Sequence, residues 1–314
     1  MVTEQSGCAI GTGRFYGSTQ YCGFVNDATG TWQVTTNSSV EQLQAWLQGA
    51  ADIALKAGDL ILELYEEQAY ETYEKDDDSP VTSADFAANR LIVDGLTALT
   101  PDIPVLSEEG SHLAFEERRQ WPRYWMIDPI DGTQEFIARS GDFGVIIALV
   151  EHNQPVLGVI YWPAGDVLYT AQHGQGAFRR DVHGTQRIHV RRLADPLNDV
   201  LHLAISRRQP RERVLQRMTS DRELQLVPAG SCSLKACMIA EGRADCFLRV
   251  GPTGEWDTAA AEVIVGEAGG RIVSESFTPL TYNQEANLGN PNFIILGDPD
   301  VPWQEVFIHH RNDD

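Results

Sequence analysis

Between Val40 and Glu67 the apolar positions Leu43, Trp46, Leu47, Ala50, Ile53, Ala54, Ala57, Leu60, Ile61 and Leu64 recur three and four apart. They form one stripe, the pattern of a helix buried along one face. Ser39 with Gln42 supplies a capping-box start. A second helix is predicted over about Ser83–Ala98, with Thr82 or Ser83 as N-cap and Pro101 beyond its end.

The pattern then changes period. Val105-Leu106 and Tyr124-Trp125-Met126-Ile127 read as short buried strands, and each ends on carboxylates. Four apolar runs follow, Phe143–Val150, Val156–Trp162, Val167–Ala171 and Ala177–Arg180, separated by turn residues. They predict an antiparallel meander. Gly174 and Gly176 mark a turn there rather than a nucleotide loop, because no further glycine follows at the required spacing. From about Asp195 strands and helices alternate: strands at Val200–Ile205, Leu224–Val227 and Cys246–Val250, helices at Arg211–Arg217, Ser233–Glu241 and Thr258–Ala268. Gly269-Gly270 stops the last helix. An α+β half over residues 40–194 and an α/β half over 195–314 are expected. Residues 1–39, rich in Gly, Ser, Thr, Gln and Asn, read as a poorly ordered extension or a short added hairpin.

Length and composition fit this reading. The chain has 314 residues, 42% hydrophobic, which is globular and about two domains' worth at roughly 150 residues each. Net charge is the unusual quantity: 45 Asp+Glu against 24 Lys+Arg gives −21. Only Lys56, Lys75 and Lys235 are lysines. Such a balance argues against a nucleic-acid polymer, which needs a positive footprint. An anionic membrane surface is disfavoured for the same reason. A small anion is acceptable only where arginines or a bound metal reverse the field locally. The longest aliphatic run, about Val145–Val150, is far short of the ~18 residues of a spanning helix. Acidic Glu4 and the lack of an apolar stretch argue against a secretory signal. The odd set Cys8, Cys22, Cys232, Cys237 and Cys246 fits reduced thiols in a cytoplasmic protein.

The chemistry concentrates in Asp128-Pro129-Ile130-Asp131-Gly132-Thr133. Two carboxylates three apart in a Pro/Gly turn after a strand can face one way, with the Ile130 carbonyl between them. Hard cations such as Mg2+ want such oxygen donors, with room left for water and phosphate. A plain polar turn is the bland alternative. Glu108-Glu109 ends another strand, and Asp257 stands where a helix N-cap is expected. Strand ends and helix starts of this kind are where sites form in α/β sheets.

Glu108-Glu109, Asp128–Thr133 and Trp256-Asp257-x-Ala-Ala…Glu267-Ala-Gly-Gly270 resemble, in order and spacing, the three signatures of the inositol monophosphatase superfamily. These are Mg2+-dependent, lithium-sensitive phosphatases, and the likeness runs from about Glu41 to Phe307. It implies a layered αβαβα sandwich of the inositol monophosphatase/fructose-1,6-bisphosphatase type. Within the superfamily the chain more closely resembles bacterial 3'(2'),5'-bisphosphate nucleotidases, through Asp78–Thr82 with Asp85, Pro104–Glu109, Asp131–Ile137, Ile205–Arg207, Ser233–Lys235, Ala240–Gly242 and Gly251–Thr253. Those enzymes remove the 3'-phosphate of adenosine 3',5'-bisphosphate, a by-product of sulfate activation.

The resemblance implies roles residue by residue. Glu108, Asp128 and the Ile130 carbonyl hold a first Mg2+. Asp128, Asp131 and Asp257 hold a second, and two or three ions are expected in all. Gly132 and Thr133 N–H groups bind the scissile phosphate. The Thr133 hydroxyl, paired with Asp85, orients and helps deprotonate the attacking water, in two-metal fashion and without a phospho-enzyme. Arg207 and Arg208 are the first candidates for the 5'-phosphate and Lys235 a weaker one, since arginine matches phosphate in a bidentate way. Arg211, Arg213 and Arg217 read as a solvated helix face. Gln134, Gly144, Ile146 and Arg208-Gln209 depart from the nucleotidase pattern, which bears on nucleotide recognition rather than on the metal cage. The alternatives are a sister phosphatase of inositol phosphates or sugar bisphosphates, a haloacid-dehalogenase-type enzyme and a non-catalytic relative. D-x-x-D spacing speaks against the dehalogenase type, and the intact acid set against a non-catalytic relative. The implied setting is cytoplasmic, with or without peripheral attachment at the inner membrane; oligomeric state is not legible.

Overall fold

The computed structural model describes residues 38–75, 79–111, 113–208, 210–219 and 222–308. Apart from Ser38 and Ser39, the expected extension lies outside them, as do Cys8, Cys22, Asp78 and Gln209.

Helix α1 (Val40–Glu67) starts on Ser39, whose Oγ accepts the Gln42 N–H, and it buries the expected stripe. A small hairpin, β1 (Thr72–Glu74) with β2 (Pro80–Thr82), leads into α2 (Ser83–Leu99). Thr82 and Asp85 close a full capping box at its start. Then come β3 (Val105–Ser107), α3 (Phe115–Arg118), β4 (Arg123–Asp131), α4 (Thr133–Ile137), β5 (Gly144–Glu151), β6 (Gln154–Trp162), β7 (Val167–Gln172), β8 (Gly176–Asp181) and β9 (Gly184–Ile188). The second part holds β10 (Leu201–Ser206), α5 (Arg211–Leu215), β11 (Leu224–Ala229), α6 (Cys232–Ala240), β12 (Cys246–Arg249), α7 (Ala259–Glu267), β13 (Arg271–Ser274), β14 (Phe293–Leu296) and α8 (Trp303–Val306).

Strands β3 to β9 form one seven-stranded sheet in chain order, parallel at β3–β4 and antiparallel from there on. A five-stranded sheet has the order β11-β10-β12-β14-β13. Three apolar clusters show how the layers stack. In one, α1 and α2 cover the first sheet through Ala50, Ala54, Ala57, Ile61, Ile92 and Trp125. A second lies on the sheet's other face, where Met126, Ala148 and Ile160 meet Ile239 and Ile264 of α6 and α7; those helices also meet Phe247 and Ile295 of the second sheet. In the third, Trp303, Phe307 and Val214 cover the far side of that sheet. The result is the αβαβα sandwich, with α6 and α7 buried between two sheets. Their low amphipathicity follows, because a helix covered on both sides needs no polar stripe.

Strand β9 was not anticipated: its residues Gly184–Arg187 are exposed and carry no apolar alternation. Cys232, Cys237 and Cys246 are free thiols buried in the core.

Candidate active site

Strand pairing brings the first two acids together. Strand β3 runs parallel to β4 with Ser107 opposite Ile127, so Glu108, just past the end of β3, lies beside Asp128 of β4. The Glu108 N–H donates to the Ile127 carbonyl at this step (3.1 Å).

Strand β4 does not stop at Ile127 as expected; it runs to Asp131 through a bulge. Asp128 pairs with Ile146 and Asp131 with Gly144, so three steps on β4 match two on β5. Residues three apart on a regular strand point to opposite faces. The extra residue resets that phase. As a result the two carboxylates converge, and the Ile130 N–H donates to Asp128 Oδ1 (3.0 Å).

Asp257 comes from the C-terminal part of the chain, between β12 and α7. It is not the N-cap of α7; Thr258 takes that position. Asp257 ends a 3-10 turn, Glu255–Asp257, and its Oδ2 accepts the Gly254 N–H (2.7 Å). A short carboxylate folding back on its own turn satisfies a local donor that a plain cap would leave open. Asp128, Asp131 and Asp257 then offer oxygens that all lie within 4.8 Å of one another.

Asp131 also ties β4 to α6. It accepts the Ser233 N–H (2.7 Å) and the hydroxyls of Ser231 (2.5 Å) and Ser233, all from the start of α6. Gly132 follows with φ +94°, and a Cβ there would lie 3.0 Å from the Asp142 carbonyl oxygen and 3.3 Å from the Ser231 Cβ. Only glycine takes that conformation without strain. Thr133 opens α4 and lies 3.1 Å from Asp85 Oδ1 and 3.2 Å from the Ile130 carbonyl oxygen.

Electrostatics mark the cluster. Burial, followed by the charges of Glu108, Asp131 and Asp257, pushes the Asp128 carboxyl well above the usual range. Burial and then Asp131 and Glu108 do the same to Asp257. Asp85 is raised by burial, against the bonds from Thr82. Like-charged oxygens held this close are unfavourable alone and favourable around a cation. An all-oxygen donor set of this kind fits a hard divalent metal.

Glu108 stands beside this trio. Its Oε1 takes the Lys75 ammonium (2.8 Å), and Glu109 takes it as well (2.6 Å). Burial pulls the Lys75 pKa down, but the two carboxylates outweigh it and raise it overall. Lys75 drew no functional expectation from the sequence, because nothing local links it to a residue 33 positions away.

One cleft of about 1020 Å³ gathers Glu108, Asp128, Ile130, Asp131, Gly132, Thr133 and Asp257 in its wall. Arg208 and Lys235 line it too, while Arg207 does not. Arg207 is ion-paired with Asp142. Arg208 Nε meets Glu135 Oε1 at 3.0 Å, and its Nη2 donates to the Gln134 carbonyl (3.0 Å). Lys235 is buried over the Phe247 ring, with its ammonium donating to the Gly230 and Ser231 carbonyls. Arg118 and Arg249, for which the sequence suggests no role, and Arg213, expected on a solvated helix face, all line the cleft. A charge closing the apolar strand Cys246–Arg249 was the available signal.

A family profile described as the inositol monophosphatase family matches residues 42–295. The chain is 41% identical over 255 residues to the 3'(2'),5'-bisphosphate nucleotidase CysQ of Haemophilus influenzae, covering 81% of this chain and 94% of that protein. It is likewise 41% identical to the enzyme of that name from Escherichia coli K12, covering 79% and 98%. Among solved structures, CysQ of Bacteroides thetaiotaomicron superposes with a TM-score of 0.68 at 35% identity, covering 82% of this chain and 98% of that one. An inositol monophosphatase from Thermotoga maritima gives 0.65 at 28% identity, covering 80% and 91%. With sandwich, acidic cluster and sequence in agreement over most of its length, the chain belongs to the inositol monophosphatase family.

Proposed function

We propose that this protein is a 3'(2'),5'-bisphosphate nucleotidase of sulfate assimilation, hydrolysing the 3'-phosphate of adenosine 3',5'-bisphosphate to AMP and phosphate. The observation that carries the chemistry is the convergence of Asp128, Asp131 and Asp257 beside a Thr133–Asp85 pair. Support for the substrate comes from the identity of about 40% to curated nucleotidases over four-fifths of the chain.

Glu108, Asp128 and the Ile130 carbonyl would hold one Mg2+, and Asp128, Asp131 and Asp257 a second. When bound, the ions supply Lewis-acid polarisation of the phosphate and a lowered pKa for water. The chain's own groups do the rest. Gly132 and Thr133 turn their N–H groups to the phosphate at the start of α4. Asp85, anchored by the Thr82 N–H (2.8 Å) and hydroxyl (2.6 Å), leaves Oδ1 for the Thr133 proton. The hydroxyl oxygen is thereby turned toward the cleft as an acceptor and aligns the attacking water. Asp131, fixed by α6, keeps both halves in register around the reacting phosphate. Residues 40–194 and 195–314 each contribute donors, so the site exists only when the halves are packed.

Arg208 and Lys235, which line the cleft, are the candidate nucleotide contacts; Arg207 lies outside its lining. The same reading puts the enzyme in the cytoplasm, and no described helix is long and apolar enough to cross a membrane.

The test is phosphorus NMR of adenosine 3',5'-bisphosphate incubated with the enzyme and Mg2+, with and without lithium. Loss of the 3' resonance with AMP accumulating, slowed by lithium, is expected. Loss of the 5' resonance, or turnover unaffected by EDTA, contradicts the proposal.

A further inference from the structure

Resting on the nucleotidase reading, in which Thr133 aligns the attacking water, we infer that Arg208 and Glu135 are positioning residues that clamp α4 to the end of β10 and so place the Thr133 hydroxyl. Thr133 opens a helix of only five residues, Thr133–Ile137. A helix that short is marginal alone and keeps its place through tertiary contacts. Whatever holds α4 therefore sets where the Thr133 hydroxyl stands relative to Asp85.

Two kinds of contact hold it. On one side Phe136 packs against the rings of Tyr65, Tyr70 and Phe143, with centroids 5.1, 4.8 and 5.2 Å away. Apolar packing is non-directional, so it anchors the helix without fixing its rotation. On the other side stand the consecutive arginines at the end of β10. Arg208 Nε meets Glu135 Oε1 at 3.0 Å, and its Nη2 donates to the Gln134 carbonyl (3.0 Å). One guanidinium thus grips both a side chain and a main-chain oxygen of α4, and its planar fork makes that grip directional. Arg207 pairs with Asp142, in the connection from α4 to β5, and Asp142 also accepts the Gly230 N–H (2.7 Å).

Both acids converge on one point of the backbone. A Cβ on Gly230 would lie 2.2 Å from Asp142 Cβ and 2.7 Å from Glu135 Cγ, so the turn after β11 packs directly on the pair. The acids are the buried partners: the Glu135 side chain is 12% exposed and that of Arg208 46%. Removing one member of such a pair leaves the buried charge uncompensated. Burial already raises the Glu135 carboxyl above its ordinary value, and Arg208 is the strongest influence pulling it back. Asp131, in contrast, is fixed by Ser231 and Ser233 at the start of α6. Loosening the clamp therefore displaces Thr133 while sparing the acidic cluster.

A double-mutant cycle tests the clamp. Arg208→Gln and Glu135→Gln are each expected to lower kcat about tenfold with KM within about twofold, as for a misplaced catalytic group. The double variant should be no slower than the slower single one, because both remove the same contact. In a Thr133→Ala background neither substitution should cost more than about twofold, since no hydroxyl is left to place. Arg208→Lys, which keeps a charge on Glu135, should retain most of kcat. The losses should be equal on adenosine 3',5'-bisphosphate and on para-nitrophenyl phosphate. A raised KM for the adenosine ester alone, additive losses, or the full loss in the Thr133→Ala background would overturn the clamp. A second arm needs no substrate: the Thr133 methyl resonance of threonine-labelled protein in EDTA should move in both single variants and no further in the double one. An unmoved resonance also overturns the inference. A wild type that hydrolyses neither ester contradicts the nucleotidase reading, and the methyl resonance then still decides whether Arg208 and Glu135 place Thr133.

Discussion

The Thr133 hydroxyl oxygen lies 3.1 Å from Asp85 Oδ1, joining the first residue of α4 to the first turn of α2. Asp85 cannot swing away, because Thr82 fills Oδ2 with its N–H and its hydroxyl. The pair is therefore set before substrate arrives. Thr133→Ala should lower kcat by about 100-fold with KM within a few-fold, the range for one lost proton-handling group. Asp85→Asn should fall in the same range. A raised KM with kcat intact would make Thr133 a binding residue only.

The crowded acids predict how metal and stability are coupled. A ligand bound only by the folded state adds about 2.7 kcal/mol at 100 times its Kd. Mg2+ should therefore raise the wild-type Tm, and Asp257→Asn should respond much less. Without metal the order reverses at neutral pH. Asparagine removes a charge facing Asp131 and Glu108 and still accepts from Gly254. Asp257→Asn should melt above wild type in EDTA and below it in saturating Mg2+. The same order in both buffers would show that the trio is not a metal site.

Glu262 carries a pH signature away from the acidic cluster. Burial pushes its carboxyl up to about 7, against a hydrogen bond from the Tyr282 hydroxyl (2.9 Å). The folded state thus holds this proton more tightly than the unfolded chain. Its contribution is complete below about pH 4.5 and is lost as pH rises through about 7. A carboxyl moved that far is worth roughly 3 kcal/mol. Glu262→Gln should be less stable than or equal to wild type at pH 4.5 and gain on it steadily up to pH 8. Urea midpoints across that range read the difference directly, and parallel curves would show that Glu262 titrates normally.

Packing between the first sheet and α7 is equally exacting. A Cβ on Gly158 of β6 would lie 2.4 Å from the carbonyl oxygen of Ala260, a backbone atom that cannot move aside alone. Gly158→Ala should cost about 1–3 kcal/mol, the range for overpacking. Because α7 starts two residues after Asp257, Mg2+ affinity should fall as well. Thermal melts with and without Mg2+ measure both effects.

What the sequence disclosed follows physical lines. The stripe of α1 and the cap at Thr82 were legible because local spacing and local hydrogen bonds specify them. The D-x-x-D turn was legible as carboxylates, but the bulge that makes Asp128 and Asp131 converge shows only in the pairing with β5. Asp257 reads as a cap from its neighbours alone and turns out to end a 3-10 turn. Lys75 on Glu108 and Arg118 on Asn283 join residues distant in sequence, and no period encodes such pairs. Arg207 and Arg208 carry charge suited to phosphate, yet Asp142 and Glu135 already meet it. Single-sequence reading lists the cations without saying which of them the fold has neutralised.

The central claim is that this acidic cleft serves a nucleotide bisphosphate. The most direct measurement is kcat/KM of the wild type with Mg2+ for adenosine 3',5'-bisphosphate, inositol 1-phosphate and fructose 1,6-bisphosphate side by side. The account predicts that the adenosine bisphosphate leads the other two by about 100-fold or more, a discrimination within reach of differential binding in one cleft. Equal rates, or a lead for either other substrate, would contradict it.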